Sequence, residues 1–512
     1  MKNILLHGFN EFYFDAVNLL QNKYEWKPKV AIEKNNSEKL YKKKFPNLMF
    51  LKIEDLRTFK FNKYLSKIKI DPLDFDELSK LDSFREAYSS TFDDTTGHNF
   101  SFEDRRNIFM EFLTFWKSII SFNKINLIIF FQWPHRNDCL SLYLLVKHVL
   151  KIDVLIIDSN ITVGSKYQTV LTDLNNLDHP FMEKYLSKNL IKNNQEPLVY
   201  FNQLLDKQNI KIDLQYTNKL SEGNIYLNFL KDFSFLFLTT LFTGSGFKKF
   251  YYKKNFKSHL DDSCRVNKFE YEFYILNKNI KILNNKKYYK KICEKAELND
   301  KFVFFAAPFQ PETNTGSILL NNFRDTYAVL LMLSEVIPSD WKIFYKEHPA
   351  TFKTFKGNNS FLIKNIKFYK KLESIKNIKF VDHEMDLIQL IKKSQCVATQ
   401  AGTTGFESIV NGKPTLLFGN CWYQGCKSVF NIKTLENLKD AIQKICKGFT
   451  PDKQDVLDYL HAVCESSQKD LTTYKFALTD LKNKNILSST LSSQNKKLSE
   501  FLFKKYNEYY SS

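Results

Sequence analysis

Four short stretches of this chain group residues that could do chemistry. "AGTTGFE" (401–407) sets Gly402 and Gly405 around Thr403 and Thr404, just ahead of a helix-like run. Glycine lets the backbone come close to a ligand, threonine caps a helix or offers a hydroxyl, and amides at a helix start favour an anion. The stretch is neither a GxGxxG fingerprint nor a Walker loop, which would need GK[ST]. By itself it reads equally as a strand-to-helix turn. "YKEHP" (345–349) brings Lys346 and His348 to one face of a strand end that Pro349 stops. Lysine holds a phosphate as a point charge, and histidine donates to one or shuttles a proton. The plain alternative is an exposed strand end with a surface histidine.

"PFQPET" (308–313) holds Gln310 and Glu312 between and beside two prolines, whose fixed φ would orient them. Glu312 could act as a base or bind a sugar hydroxyl. "WPHRND" (133–138) groups His135, Arg136 and Asp138. An imidazole and a carboxylate there could form an acid/base or nucleophile pair, and Asp138 could equally cap a helix.

The elements that must position these groups read as two α/β units. In the first, "NILLHGF", "VAIEK" and "NLMFLKI" are strand-like, "INLIIFFQWP" is a buried strand stopped by proline, "DCLSLYLLVKHVL" is helical and "DVLIIDSN" is another buried strand. Continuous apolar runs alternating with helices imply βαβ units and a parallel sheet. The second begins at "KFVFFAAPFQPE" and continues through "WKIFYKEHP", "NIKFVDHE", "CVATQAGTTG" and "PTLLFG", with helices between most of them. The expected organisation is a Rossmann-like domain over 1–170, a helical insertion or connection over 171–295, a second Rossmann-like domain over 296–450 and a C-terminal helical segment over 451–512. Two doubly wound domains facing a cleft bind ligands beyond the carboxyl ends of their strands, where all four motifs fall.

The bulk properties narrow the partners. At 512 residues and 43% hydrophobic content the chain can build two or three cores. A net charge of +19 favours anionic partners, although a Lys-rich composition with solvated basic faces explains much of it. The lysines gather in no motif and no nucleic-acid module is recognisable, so no nucleic-acid partner is expected. Eight cysteines form no CxxC pair, and reduced thiols in the cytosol are expected. The N-terminus does not read as a signal peptide. "FSFLFLTTLF" (233–242) has about half the ~20 residues of a membrane span. It precedes "FKKFYYKKNFK" (247–257) and reads as a buried helix or as a peripheral membrane patch. "VDHEMD" (381–386) reads as a polar loop with a helix cap, and no metal site is expected.

In this order the motifs resemble the capsule polysaccharide biosynthesis family, bacterial glycosyltransferases of GT-B architecture that include transferases using CMP-Kdo. The resemblance is strongest over residues 302–430, through "QPET", "PSDW", "YKEHP", "VATQAGTTGFESIVNGKPTLLFG" and "WY" (Trp422, Tyr423). It implies a nucleotide-sugar donor, best a CMP-sugar, bound by the second domain. Lys346 and His348 would contact its phosphate, and Gly402, Thr403, Thr404 and Gly405 would supply a cradle. Glu407 would reach the ribose, and Gln310 and Glu312 would face the cleft. The first domain would hold a glycan or glycolipid acceptor, with His135 and Asp138 as catalytic candidates beside Glu312. Metal-independent transfer follows from the same resemblance, in the cytoplasm and at the inner face of the membrane. The competing readings are a CDP-glycerol-type phosphotransferase and a non-catalytic glycan-binding subunit of capsule assembly or export.

Overall fold

The computed structural model describes the chain except residues 34–41, 58, 96–99, 159–166, 191–192, 206–224, 244–249, 252–264, 267, 295–297, 312–322, 356–357, 470–487 and 511–512. Its core is two twisted sheets. The first is built from β1 (Lys2–Phe9), β2 (Trp26–Glu33), β3 (Met49–Lys52), β4 (Leu127–Phe130), β5 (Asp153–Asp158) and β6 (Tyr167–Leu171), in the order β6-β5-β4-β1-β2-β3. The pairs from β3 to β5 are parallel, and β6 lies antiparallel on β5. A minor ribbon pairs β7 (Phe250–Tyr251) with β8 (Arg265–Val266).

The second sheet holds β9 (Phe302–Ala306), β10 (Lys342–Lys346), β11 (Ile378–Val381), β12 (Cys396–Thr399), β13 (Thr415–Leu417) and β14 (Val429–Asn431), all parallel, in the order β11-β10-β9-β12-β13-β14. Numbered within itself, that order is 3-2-1-4-5-6, the doubly wound arrangement with its reversal between β9 and β12. The first sheet reverses in the same way between β1 and β4. The α/β, two-Rossmann expectation therefore holds, and the "FVFFA", "LIIF" and "CVAT" runs are buried strands as their unbroken apolar character requires.

Beside that ribbon, residues 171–295 hold four described helices: His179–Ser187, Glu196–Leu205, Ile225–Thr243 and Lys268–Ile292. The first two pack with helix Lys453–Ser466 around Phe181, Tyr185, Phe201 and Tyr459, in one cluster with Phe406, Trp422 and Tyr423. Tyr185 Oη–H donates to Asp455 at 2.6 Å and Gln424 Nε2 to Asp178 at 2.6 Å, so the connection is bound to the second sheet.

The end of the chain returns to the first sheet. A strand, β15 (Gln468–Lys469), pairs antiparallel with β6, and helix Ser488–Tyr510 buries Leu498, Phe501, Leu502 and Tyr506 against Ile4, Leu6, Val17 and Leu20. Tyr24 stacks on Phe503 at 3.9 Å, and Tyr506 Oη–H donates to Asp153 at 2.8 Å. Strands β6, β14 and β15 do not emerge from the sequence reading. Two to five residues long and partly polar, they carry too little period to show.

Leu502 is fully buried in this contact. Leu502→Ala is expected to cost about 2–5 kcal/mol, the usual cost of truncating a buried leucine. Chemical denaturation monitored at Trp26, which touches Phe503 and Tyr506, would read it. An unchanged midpoint would mean that this helix does not stabilise the first sheet.

Candidate functional site

Strand β10 delivers Lys346 to its carboxyl end, one position from the β9–β12 reversal. The side chain is 7% exposed, and its ammonium has no hydrogen-bond or ion-pair partner among the described residues. Burial lowers its pKa to about 8, against the opposing pull of Asp382, Glu347 and Asp386. A buried, unpaired ammonium is costly in a folded protein, and an anion would relieve it.

His348 follows two residues later and caps the short helix Pro349–Phe352. Its Nδ1 accepts from the Ala350 amide at 3.1 Å. A ring nitrogen that accepts carries no proton, so the neutral ring carries its proton on Nε2. Burial, followed by the charges of Lys346 and Lys353, brings the pKa to about 4. At neutral pH His348 is therefore a fixed N–H donor.

Glu347, between them, is the residue that sequence reasoning passed over. It is fully buried and accepts from Tyr345 Oη at 2.7 Å and Tyr369 Oη at 3.0 Å, with Lys364 Nζ at 3.8 Å. Tyr289 Oη–H reaches the carbonyls of Val381, at 2.8 Å, and Tyr345, at 3.2 Å, while accepting from the Glu347 amide at 3.1 Å. This network fixes the exit of β10 and with it the directions of Lys346 and His348. Glu-His-Pro after a strand was the available signal, but the partners are scattered from 289 to 369.

On the other side of β9, the chain leaves β12 into the Gly-Thr-Thr-Gly turn and helix Thr404–Val410. Gly402 N–H donates to Thr399 Oγ1 at 3.1 Å, and the amides of Gly405, Phe406 and Glu407 donate to the carbonyls of Gly402 and Thr403. The amides of Thr403 and Thr404 have no partner among the described residues. Thr403 is the N-cap residue, but its side chain makes no capping bond, so its hydroxyl stays available. Gly405 answers to packing: a Cβ there would stand 2.4 Å from Tyr423 Oη and 2.9 Å from Thr415 Cγ2. Tyr423 Oη–H donates to the Gly402 carbonyl and Thr415 Oγ1–H to that of Gly405 at 2.6 Å. The Trp-Tyr pair thus supports the turn from beneath. Glu407 is buried among these residues.

Gln310 is also buried, and its Nε2 points to the Arg324 carbonyl at 3.4 Å. Gln400 Nε2 donates to the same carbonyl at 3.1 Å and to that of Phe323 at 2.8 Å. The two glutamines hold Arg324 at the reversal point, where its guanidinium meets Glu86 of the first unit at 3.2 Å. Arg324 was not anticipated; a lone arginine before a helix gives no sequence signal. Glu312 lies outside the described residues.

In the first sheet, the reversal between β1 and β4 gathers His7, His135 and Asp138. Asp138 is 1% exposed and sits in the first turn of helix Asn137–Leu144, behind the N-cap residue Arg136. It does not cap the helix. His7 Nε2 lies 3.4 Å from its carboxylate. Burial opposes ionisation of Asp138, but the His7 contact and the charges of Arg57 and Arg136 outweigh it and hold the carboxyl well below the usual range. The other Asp138 oxygen, His7 Nδ1, Asn137 Nδ2 and Tyr88 Oη are buried without hydrogen-bond partners, places for bound water.

His135 is half-buried. Its Nδ1–H donates to the Trp133 carbonyl at 2.7 Å, which leaves the lone pair on Nε2. Burial lowers its pKa, aided by Arg136 and Arg57 and opposed by the Trp133 bond and Asp138. The two histidines are therefore set oppositely, His348 to donate and His135 to accept.

Two trios of ligand-type groups converge among the described residues: His7 with Asp138 and Cys139, and Asp382 with His383 and Glu384. The second falls in "VDHEMD", where Asp386 caps helix Leu387–Lys393 through the Gln389 amide at 2.8 Å, as a polar loop with a cap would.

Residues 252–427 match the capsule polysaccharide biosynthesis protein family. The resemblance carried by the motifs is borne out over these residues. No curated protein matches. Among solved structures, a UDP-GlcNAc 2-epimerase from Methanocaldococcus jannaschii aligns at 12% identity, covering 86% of this chain and 92% of its own, with a TM-score of 0.22. A beta Kdo 2,7 transferase from Thermosulfurimonas dismutans aligns at 13% identity over 41% of this chain and 66% of its own, with a TM-score of 0.23. Likeness at these TM-scores carries no weight for function.

Two outcomes follow from the second-sheet geometry. Glu347→Gln strands the buried Lys364 charge and is expected to destabilise the protein by about 3–5 kcal/mol, with part recovered in the Glu347→Gln/Lys364→Met double variant. Denaturation midpoints unchanged by the single substitution would remove Glu347 as the organiser of the β10 exit. Anion binding raises the pKa of Lys346 above its free value of about 8, so the complex holds the extra proton. Affinity for a phosphate-bearing ligand should therefore be level below pH 8 and fall as pH rises above it. Calorimetric titrations of wild type and Lys346→Met would show the decline only in the former.

Proposed function

We propose that this chain is a glycosyltransferase that moves a sugar from a nucleotide donor to a growing capsular or surface polysaccharide. One observation carries the reading: the unpaired, buried Lys346 ammonium beside the fixed Nε2–H of neutral His348, at the carboxyl edge of a doubly wound sheet. A point charge and a directed donor suit a phosphate. The hydroxyl and amides of the 402–405 turn extend the same edge across β9.

The chemistry follows from these placements. As the bond between the anomeric carbon and the phosphate oxygen breaks, negative charge collects on the departing nucleotide. Lys346 and His348 are aimed where that charge forms and stabilise it without a metal. On the first sheet, His135 Nε2 takes the proton of the acceptor hydroxyl as that oxygen bonds to the anomeric carbon. Asp138 and His7, buried behind it, are positioning groups in this reading. The donor that best suits the family match is a CMP-linked acid sugar of the Kdo type. The acceptor is a glycan or glycolipid, met in the cytoplasm at the inner face of the membrane.

A thermal-shift panel with CMP, CDP, UDP, GDP and ADP tests the donor. Binding at a hundredfold excess over Kd stabilises the native state by about 2.7 kcal/mol, and the shift should be largest with CMP and lost in His348→Ala. A shift with UDP or GDP alone would overturn the CMP assignment, and none with any nucleotide would overturn the transferase. His135→Ala should lower kcat by roughly 10²–10⁴, the usual contribution of a general base. Because its pKa is lowered, His135 stays neutral below pH 6.5, so the wild-type rate should fall only at more acid pH. A rate unaffected by the substitution would exclude His135 as the base.

A further inference from the structure

Helix Ile225–Thr243 lies outside the site described above and is apolar on nearly every side. Its inward stripe, Phe229, Phe233 and Leu236, follows helical spacing. Phe229 packs on Phe273 and Phe233 on Phe269, both at 5.5 Å, joining it to helix Lys268–Ile292. At 100° per residue, Leu230, Phe235 and Leu238 fall on the opposite half, and they are 56%, 71% and 56% exposed, while Phe237, 52% exposed, lies nearer the inward stripe. Phe273 on the neighbouring helix is 53% exposed. Between the two helices an aromatic groove of about 730 Å³ is lined by Phe233, Phe237, Phe269, Phe273 and Tyr274.

Large apolar side chains exposed together on one helix, here around Lys231 and Ser234, mark an interaction site. No described helix is long and apolar enough to cross a membrane. The charge that follows it in the sequence selects the partner. In the sequence this helix is followed by "FKKFYYKKNFK" (247–257), five lysines and five aromatic residues with no acidic residue. Lysine attracts an anionic lipid surface, and aromatic rings settle at its headgroup level.

We propose that the exposed face of helix Ile225–Thr243 docks on an anionic bilayer, lying in the interface with Leu230, Phe235 and Leu238 inserted among the acyl chains. The groove beside Phe273 is wide enough to take part of one chain. A helix lying in the plane would hold the catalytic units at the surface where a lipid-linked acceptor is presented, but the docking itself needs neither nucleotide nor turnover.

Co-sedimentation of the full chain with vesicles tests it. Binding is expected to vesicles containing about one-third phosphatidylglycerol, at least tenfold stronger than to phosphatidylcholine alone, and to weaken in high salt. Phe235→Ser/Leu238→Ser changes only exposed side chains; it should lower vesicle binding at least tenfold while nucleotide-induced thermal shifts persist. Equal binding by wild type and this variant would overturn the proposal. So would a wild type that ignores vesicles, whether or not sedimentation velocity shows it self-associating through the same face. Vesicle binding without any nucleotide response would leave the docking standing and remove the transferase reading.

Discussion

The geometry of the candidate donor site hangs on the pairing of β9. This strand is hydrogen-bonded in parallel register on both sides, Val303 to Ile343 of β10 and to Cys396 of β12. Parallel pairing sends all three strands out at one edge. Because β10 and β12 lie on opposite sides of β9, their connections wind in opposite directions and leave an opening above it. Lys346 and His348 enter that opening from one side and the 402–405 turn from the other. The first sheet repeats the device, with His7 near the carboxyl end of β1 and His135 following β4.

Such an opening is useful only if its walls hold still, and here the walls are polar groups satisfied from below. Glu347 is fixed by two tyrosines and opposed by Lys364, and the Gly402 carbonyl is held by Tyr423. Burying the Glu347–Lys364 pair is costly unless its hydrogen bonds are nearly complete, which makes the loop sensitive to any missing partner. Lys346 differs from the Glu347–Lys364 pair beside it, since its ammonium has no hydrogen-bond or ion-pair partner among the described residues. That contrast points to a ligand more strongly than any motif does.

The two histidines show how backbone contacts assign chemistry. Both are neutral near pH 7 through burial, yet one accepts an amide hydrogen at Nδ1 and the other gives its Nδ1 proton to a carbonyl. Their exposed nitrogens consequently have opposite character. The binding role and the proton-accepting role are thus separated between sheets, as transfer between two substrates in one cleft requires. Helix Lys268–Ile292 joins that network through Tyr289 near its end, while its Phe269 and Phe273 turn to helix Ile225–Thr243.

The sequence by itself determined the two parallel sheets, because buried parallel strands must be unbroken apolar runs, and it placed the four motifs at their ends. It also marked Lys346 and His348, whose types and spacing survive without knowledge of neighbours. What it could not determine were relations between distant positions. Glu347 gains its meaning from Tyr289 and Tyr369, Asp138 from His7, and Arg324 from Gln310 and Gln400. Gly405 reads as a ligand-facing glycine until Tyr423 is found pressing on it. The short strand β15, and the return of residues 488–510 to the first sheet, likewise depend on partners hundreds of residues away. Local propensity and period are properties of a segment, whereas tautomer, burial and charge balance belong to whatever the folded chain brings against it.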